Sequence, residues 1–350
     1  MAGALTIALD AMGGDHAPGV ILDGTVLARE QHPGVRYLLF GDESVLRPAV
    51  DSRPSLKDCV TVVPAEGVID GSMKPSQALR KGRTSSMGLA IQAVADGTAQ
   101  VAVSAGNTGA LMALAKFVLR TLPGIDRPAL VTLLPTRRGE SAMLDLGANV
   151  ECSAENLIEF AVMGAAYARL VLGVSRPKVA LLNIGTEELK GNDEVKQAAE
   201  RLRATELDFD FVGFAEGNDL GEGTADVFVT DGFTGNVALK TMEGTALLIT
   251  HLFRRAFRNS VMSMLGYLLA RGGLRTLRAH LDPNTHNGGM FVGLNGLVVK
   301  SHGGANAAGI ASAISVAKDL AQGDLNARIA EDMALFGSRP AVEAAEAAGS

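Results

Sequence analysis

Tryptophan is absent from this sequence, tyrosine occurs three times and cysteine twice, as Cys59 and Cys152. Two isolated cysteines with no second pair nearby argue against a disulfide framework or a structural zinc site, and they fit a reducing compartment. A basic leader is missing, because the opening MAGALTIALDAMGG meets Asp10 too early for a signal peptide. Uncharged apolar runs of about 18 residues or more are missing too, so a membrane-spanning helix is not expected. Positive charge is in deficit: 32 Lys and Arg stand against 38 Asp and Glu, which argues against a nucleic-acid binder. Familiar catalytic signatures are lacking as well. No phosphate loop ending in Gly-Lys-Ser/Thr and no G-x-G-x-x-G after the first strand supports ATP or NAD. Without G-x-S-x-G or H-E-x-x-H, a serine hydrolase or zinc protease loses its basis. The absences together lead to the expectation of a cytoplasmic protein for which ATP and NAD readings lose support.

What the 350 residues do contain is glycine, 41 of them, scattered between short apolar runs rather than gathered in low-complexity tracts. Runs rich in Val, Ile and Leu predict strands over 5–10, 36–40, 60–63, 101–104, 130–134, 142–146, 178–184, 209–213, 227–229 and 296–299. Longer helical patterns cover 155–172, 194–204, 235–258 and 305–320. Near-continuous apolar strands alternating with helices signal a buried, mainly parallel sheet. The expected fold is therefore a three-layer α/β/α protein. One catalytic domain is expected over residues 1–337, with room for two packed lobes, and the Ala/Glu-rich tail after Ser338 is expected to fray.

Ligands of open parallel sheets bind beyond the carboxyl ends of the strands, where loops enter helices. Six such loops share one composition here: Asp10–Asp15, Ser104–Gly109, Asp145–Asn149, Asn183–Thr186, Asp231–Asn236 and Ser301–Asn306. Small residues allow an anion to approach the backbone, and free N–H groups at a helix start carry partial positive charge. Their Asn, Thr and Ser side chains can equally serve as plain helix caps. Cys152 precedes a predicted helix, which could lower a thiol pKa, but a small semi-buried cysteine accounts for it better than a reactive thiol does.

The ordered strings ALDAMGGDHAP, SAGNTGALM, LDLGANVE, LLNIGTEELKGND, FVTDGFTGNVALK and GLVVKSHGGAN resemble the acyl-ACP:phosphate acyltransferase (PlsX) family of bacterial phospholipid synthesis, over about residues 5–335. The resemblance implies a fold like the isocitrate/isopropylmalate dehydrogenases and phosphotransacetylases. It also implies a homodimer, loosely attached to the inner face of the membrane, with no metal or nucleotide cofactor. The implied reaction joins inorganic phosphate to an acyl group carried by acyl carrier protein (ACP). The acyl phosphate product would then pass to an acylphosphate:glycerol-3-phosphate acyltransferase. Two other readings are a phosphotransacetylase-like enzyme using acyl-CoA, and a non-catalytic membrane-recruited scaffold.

For that chemistry the leading candidates are Lys190, whose ammonium can neutralise phosphate, and Asn236, an amide donor at a helix start. His302 is the candidate proton donor to the leaving thiolate. Asp10, Gly13, Gly14, Asp15, His16, Ser104, Asn107, Thr108, Asn149, Thr186, Asp231 and Thr234 complete the expected phosphate and substrate surface. A further feature is the stretch between Glu243 and Asp282, which holds six arginines and no acid. Around its apolar centre, a helical hairpin is expected at 250–282. There Arg254, Arg258, Leu265, Leu268, Arg271 and Arg275 would meet an anionic membrane, the acidic carrier or a second copy of the chain.

Overall fold

The computed structural model describes residues 5–205, 208–258, 260–281 and 287–338. In chain order the first half contains β1 (Thr6–Asp10), α1 (Gly19–Gln31), β2 (Arg36–Gly41), α2 (Glu43–Asp51), β3 (Val60–Pro64), α3 (Pro75–Lys81), α4 (Ser86–Ala95), β4 (Val101–Ser104) and α5 (Thr108–Leu119). A hairpin of β5 (Ala129–Thr136) and β6 (Gly139–Leu144) leads into α6 (Ala154–Val171), β7 (Lys178–Leu182), α7 (Asp193–Ala204), β8 (Asp210–Ala215), α8 (Asp219–Glu222) and β9 (Val227–Val229). The chain ends with α9 (Gly232–Phe257), α10 (Val261–Leu281), β10 (Gly289–Val292), β11 (Leu297–Lys300), α11 (Ala307–Gln322) and α12 (Leu325–Ser338). The tail expected to fray lies outside the described residues, beginning at Arg339.

All eleven strands join one sheet in the order β3-β2-β1-β4-β11-β10-β5-β6-β9-β7-β8. The strands β3, β2, β1, β4 and β11 run parallel, as do β6, β9, β7 and β8. Between these blocks, β10 and β5 pair antiparallel to their neighbours, and β5 pairs antiparallel with β6. Because three successive antiparallel pairings separate them, the two blocks point in opposite senses. Their strand-end loops consequently leave from opposite edges of the sheet.

Strand alternation divides the core into two layers. Ile7 and Leu9 of β1, with Val103 and Val299, face α1, α2, α6, α7, α11 and α12. Ala8, Ala102 and Val298 face α3, α4, α5 and the first turns of α9. The central helix is α6, buried without a break from Asn156 to Ala168. It starts in a capping box, where Ser153 and Asn156 satisfy each other's backbone N–H groups. Burying each of its larger apolar side chains contributes about 1.5–3 kcal/mol. Arg169 of α6 forms an ion pair with Asp332, which ties α12 to the same layer.

Candidate active site

Asp10, Ser104 and Lys300 end three neighbouring parallel strands, with Lys300 paired to Ser104 in register. Alternation places all three side chains on the α4–α5–α9 face, level with one another. Asp10 is 2% exposed, and its Oδ2 accepts a 2.7 Å hydrogen bond from the Ser104 hydroxyl. Its other oxygen accepts the Met12 N–H at 3.3 Å. Burial lifts the Asp10 carboxyl above the usual carboxylate range, and these donors pull it partly back. Side chains are excluded from the next two positions. A Cβ at Gly13 would collide with the Asp10 carboxylate and lie 2.9 Å from the Gly106 nitrogen, while Gly14 sits at φ +104°.

Three of the six loops meet around this row. Asp15 N–H donates to the Gly303 carbonyl at 2.9 Å, and Ser301 N–H donates to the Ser104 carbonyl at 2.9 Å. Buried Asn287 shapes the third loop, its amide donating to Ser301 Oγ at 2.8 Å and its Oδ1 accepting from His302 N–H at 2.9 Å. His302 is exposed, and its Nδ1 accepts the Gly304 N–H at 3.3 Å, which leaves the proton on Nε2. His16 is exposed on the loop before α1.

Lys300 sits partly buried where these loops join, and its Nζ donates to the Ser301 carbonyl. Burial lowers the ammonium to about 8, against the opposing pull of Asp15 and Asp10. Lys240, two turns into α9, adds repulsion. The second block thus reaches the first through α9, which brings Lys240 near Lys300. Both lysines lie within the strings FVTDGFTGNVALK and GLVVKSHGGAN, whose local composition gives them no role. Their signal was a cation at, or two turns beyond, a Gly-rich strand end.

The loops of the second block pack together separately. Gly232 N–H donates to the Asn149 carbonyl at 2.7 Å, and Asn236 lies 3.6 Å from where a Cβ on Gly147 would stand. Buried Asp145 anchors this junction by accepting from the N–H groups of Leu130, Ala148 and Asn149 at 2.6–3.1 Å. The Asn149 amide donates to Asp145 at 3.0 Å and to the Pro128 carbonyl at 2.8 Å. Lys190 is exposed between β7 and α7, its carbonyl accepting from the Asn183 amide at 3.1 Å. Thr186 shares that exposed loop.

Several expected ligand donors are already occupied as helix caps. Asn107 caps α5 through Ala110 N–H, and Asp231 caps α9 through the N–H and hydroxyl of Thr234. Thr108 is the first residue of α5. Their backbone N–H groups, rather than these side chains, are what the helix starts offer to an anion. Neither cysteine is poised as a nucleophile: burial pushes the Cys152 thiol up to about 12 and raises Cys59 as well. His32 and Ser315 are in contact at 2.8 Å, but His32 caps the C-terminus of α1 and Ser315 lies in the middle of α11, about 12 Å along that helix from the Ser301–Asn306 loop.

The α9–α10 pair leaves much apolar surface open. Within α9 only Gly232 and Gly235 are buried, while Leu247, Leu248, Leu252 and Phe253 are exposed. On α10, Met262, Leu265, Leu268 and Leu269 are exposed, and Tyr267 packs its ring 5.6 Å from that of Phe257. Arg254, Arg258 and Arg271 are exposed along the same pair, and only the backbone of Arg275 is described. Among the described residues, no helix is long and apolar enough to cross a membrane.

Residues 5–328 match the family described as "Fatty acid synthesis protein". The chain is 56% identical over 339 residues to a protein of Rhodospirillum centenum named phosphate acyltransferase, covering 97% of this chain and 95% of that one. It is 54% identical over 334 residues to the protein of the same name from Rhodospirillum rubrum, covering 95% and 96%. Among solved structures it is similar to a phosphotransacetylase from Streptococcus pyogenes, with TM-score 0.59, 19% identity and coverage of 91% and 94%. A branched-chain phosphotransacylase from Enterococcus faecalis gives TM-score 0.58, 16% identity and coverage of 91% and 99%. The fold is thus that of the phosphotransacetylases.

Proposed function

We propose, for a chain that belongs to the fatty acid synthesis protein (PlsX) family and is an acyltransferase, that it moves a fatty acyl group from ACP to inorganic phosphate. The observation that carries this reading is the lysine at the meeting point of three glycine-rich strand ends, beside the backbone N–H groups that start α5 and α11.

A phosphate oxygen attacks the thioester carbonyl, a C–O bond forms, the C–S bond breaks, and the carrier thiolate departs. A thiol with a pKa of about 8.5 leaves readily, so a covalent acyl-enzyme is unnecessary. Phosphate is held by the N–H groups at the Asp10–Asp15, Ser104–Gly109 and Ser301–Asn306 loops, with charge supplied by protonated Lys300. Asp10 does not touch the anion. It positions Ser104 and the Met12 N–H, and its field together with that of Asp15 holds Lys300 in its charged form. The oxyanion of the tetrahedral intermediate is stabilised by the backbone N–H groups of the same loops, where one positioned donor contributes about 10²–10³ in rate. Lys190 and Asn236 follow β7 and β9 at the opposite edge of the sheet and take no part in this step. His302 donates a hydrogen bond from Nε2–H to the leaving sulfur, which departs as the thiolate and takes its proton from water.

The exposed apolar surfaces of α9 and α10 join two copies into a homodimer, and the flanking arginines rest on an anionic membrane surface. This position on the inner face of the membrane would deliver acyl phosphate to a membrane enzyme that acylates glycerol 3-phosphate. The test is phosphate-dependent formation of hydroxylamine-trappable acyl phosphate from palmitoyl-ACP, with palmitoyl-CoA in parallel. Product from the carrier substrate supports the reading. Turnover of the CoA thioester alone would replace it with the acyl-CoA reading, and no product from either would leave a scaffold.

A further inference from the structure

A second acid-poor stretch lies outside the α9–α10 pair. From Gly71 to Ile125 the sequence holds one acid, Asp96, and six bases: Lys74, Arg80, Lys81, Arg83, Lys116 and Arg120. The Gln92 amide hydrogen-bonds Asp96 at 2.8 Å at the far end of α4. Asp70, just ahead of the stretch, is engaged by the N–H and hydroxyl of Ser72, the N–H at 2.8 Å.

The fold sets the two helices that carry or adjoin these bases side by side. α3 lies alongside α5 in the same direction: Pro75 Cγ is 3.2 Å from the Cβ position of Gly109, and Leu114 Cδ1 is 3.0 Å from that of Gly82. All six bases are exposed. Among the described residues, Lys74, Arg80, Lys81, Arg83 and Arg120 form no ion pair. Lys116 donates to the Asp126 carbonyl at 2.9 Å, so its charge is not neutralised. The Arg83 and Arg120 guanidiniums lie 5.5 and 5.6 Å from the centre of the half-exposed Phe117 ring. Such stacking orders both side chains before any partner arrives, which lowers the entropy lost on binding.

This face begins at the active site. The Asn107 amide donates to the Gly71 carbonyl at 2.5 Å, and Asn107 belongs to the Ser104–Gly109 loop that packs against Asp10 and Ser301. From there α3 carries the positive charge outward by about 10 Å, at about 1.5 Å per residue. We infer that the α3–α5 face is the docking surface for the acidic acyl carrier protein, from which the thioester arm enters between the strand-end loops. The inference rests on the proposed use of carrier-bound acyl groups. Complementary charge at such a surface governs encounter and binding more than the chemical step.

The experiment compares the wild-type protein with Lys81→Glu/Arg83→Glu and with a charge-matched control, Lys57→Glu/Arg138→Glu. Palmitoyl-ACP and palmitoyl-pantetheine, the same thioester without the protein, are the substrates. The expected result is a rise of about tenfold or more in KM for palmitoyl-ACP in the α3 variant, with kcat and the palmitoyl-pantetheine kinetics unchanged and the control near wild type. The salt dependence of kcat/KM seen with palmitoyl-ACP should flatten in the α3 variant. An unchanged KM for palmitoyl-ACP would overturn the inference, as would an equal loss with palmitoyl-pantetheine or an equal rise in the control. A wild-type protein inactive with palmitoyl-ACP would instead remove the functional reading beneath it.

Discussion

Lys300→Met should make the protein more stable and less active at once. The substitution keeps the length of the side chain and deletes its charge. Burial lowers the Lys300 ammonium from 10.5 to about 8, and at about 1.4 kcal/mol per unit the folded protein bears roughly 3 kcal/mol for keeping it charged. Partial solvent access trims this to about 1–2 kcal/mol. Below about pH 8 both the folded and unfolded chains hold the proton, and the full cost applies. Between about 8 and 10.5 the unfolded chain holds a proton that the folded chain has shed, so wild-type stability rises with pH. The Met variant lacks this dependence. Its advantage should be largest near pH 7 and should fade towards pH 10.5. Urea denaturation at several pH values measures it as a shift in midpoint at unchanged m. Phosphate-dependent turnover of the same variant should fall by about 10²–10³. In Lys300→Arg, the loss of wild-type activity above about pH 8 should move to higher pH, because a guanidinium keeps its charge. A Met variant that is less stable, or whose advantage does not change with pH, would refute the buried-charge argument. Wild-type turnover in that variant would remove Lys300 from the site.

Other substitutions probe the supports of the site. Gly235→Ala drives a Cβ into the Asp145 carbonyl, so it should destabilise by about 2 kcal/mol or more and lower the thermal midpoint. Asp145→Asn turns an NH₂ group towards backbone donors of Leu130, Ala148 or Asn149, and should cost about 3 kcal/mol in urea denaturation. Leu265→Glu on α10 should convert dimer to monomer in sedimentation or abolish binding to anionic vesicles. If neither changes, the exposed α10 surface serves some other contact.

The layers of the fold were legible because buried parallel strands read as continuous apolar runs. The predicted strands over 36–40, 60–63, 101–104 and 227–229 agree with β2, β3, β4 and β9 to within one residue at each end. Helix starts drifted by one to three residues: α9 begins at Gly232 rather than Gly235, since Asp231 is its cap. Strand β10 was missed, being four residues long and antiparallel to both neighbours. The reversal of the second block was equally hidden, because orientation depends on pairings between residues far apart in sequence. The same holds for the site. Local composition marked the loops, and capping accounts for part of that signal at Asn107 and Asp231. Lys300 becomes visible only when Asp10, Asp15 and Lys240 are brought around it in space.

The central claim is that phosphate attacks the carrier-bound thioester directly. Rapid-quench measurement of free carrier thiol, with and without phosphate, tests it most directly. The account predicts no thiol release without phosphate and one thiol per acyl phosphate formed when phosphate is present. A phosphate-independent burst approaching one thiol per chain would reveal a covalent acyl-enzyme and contradict the account.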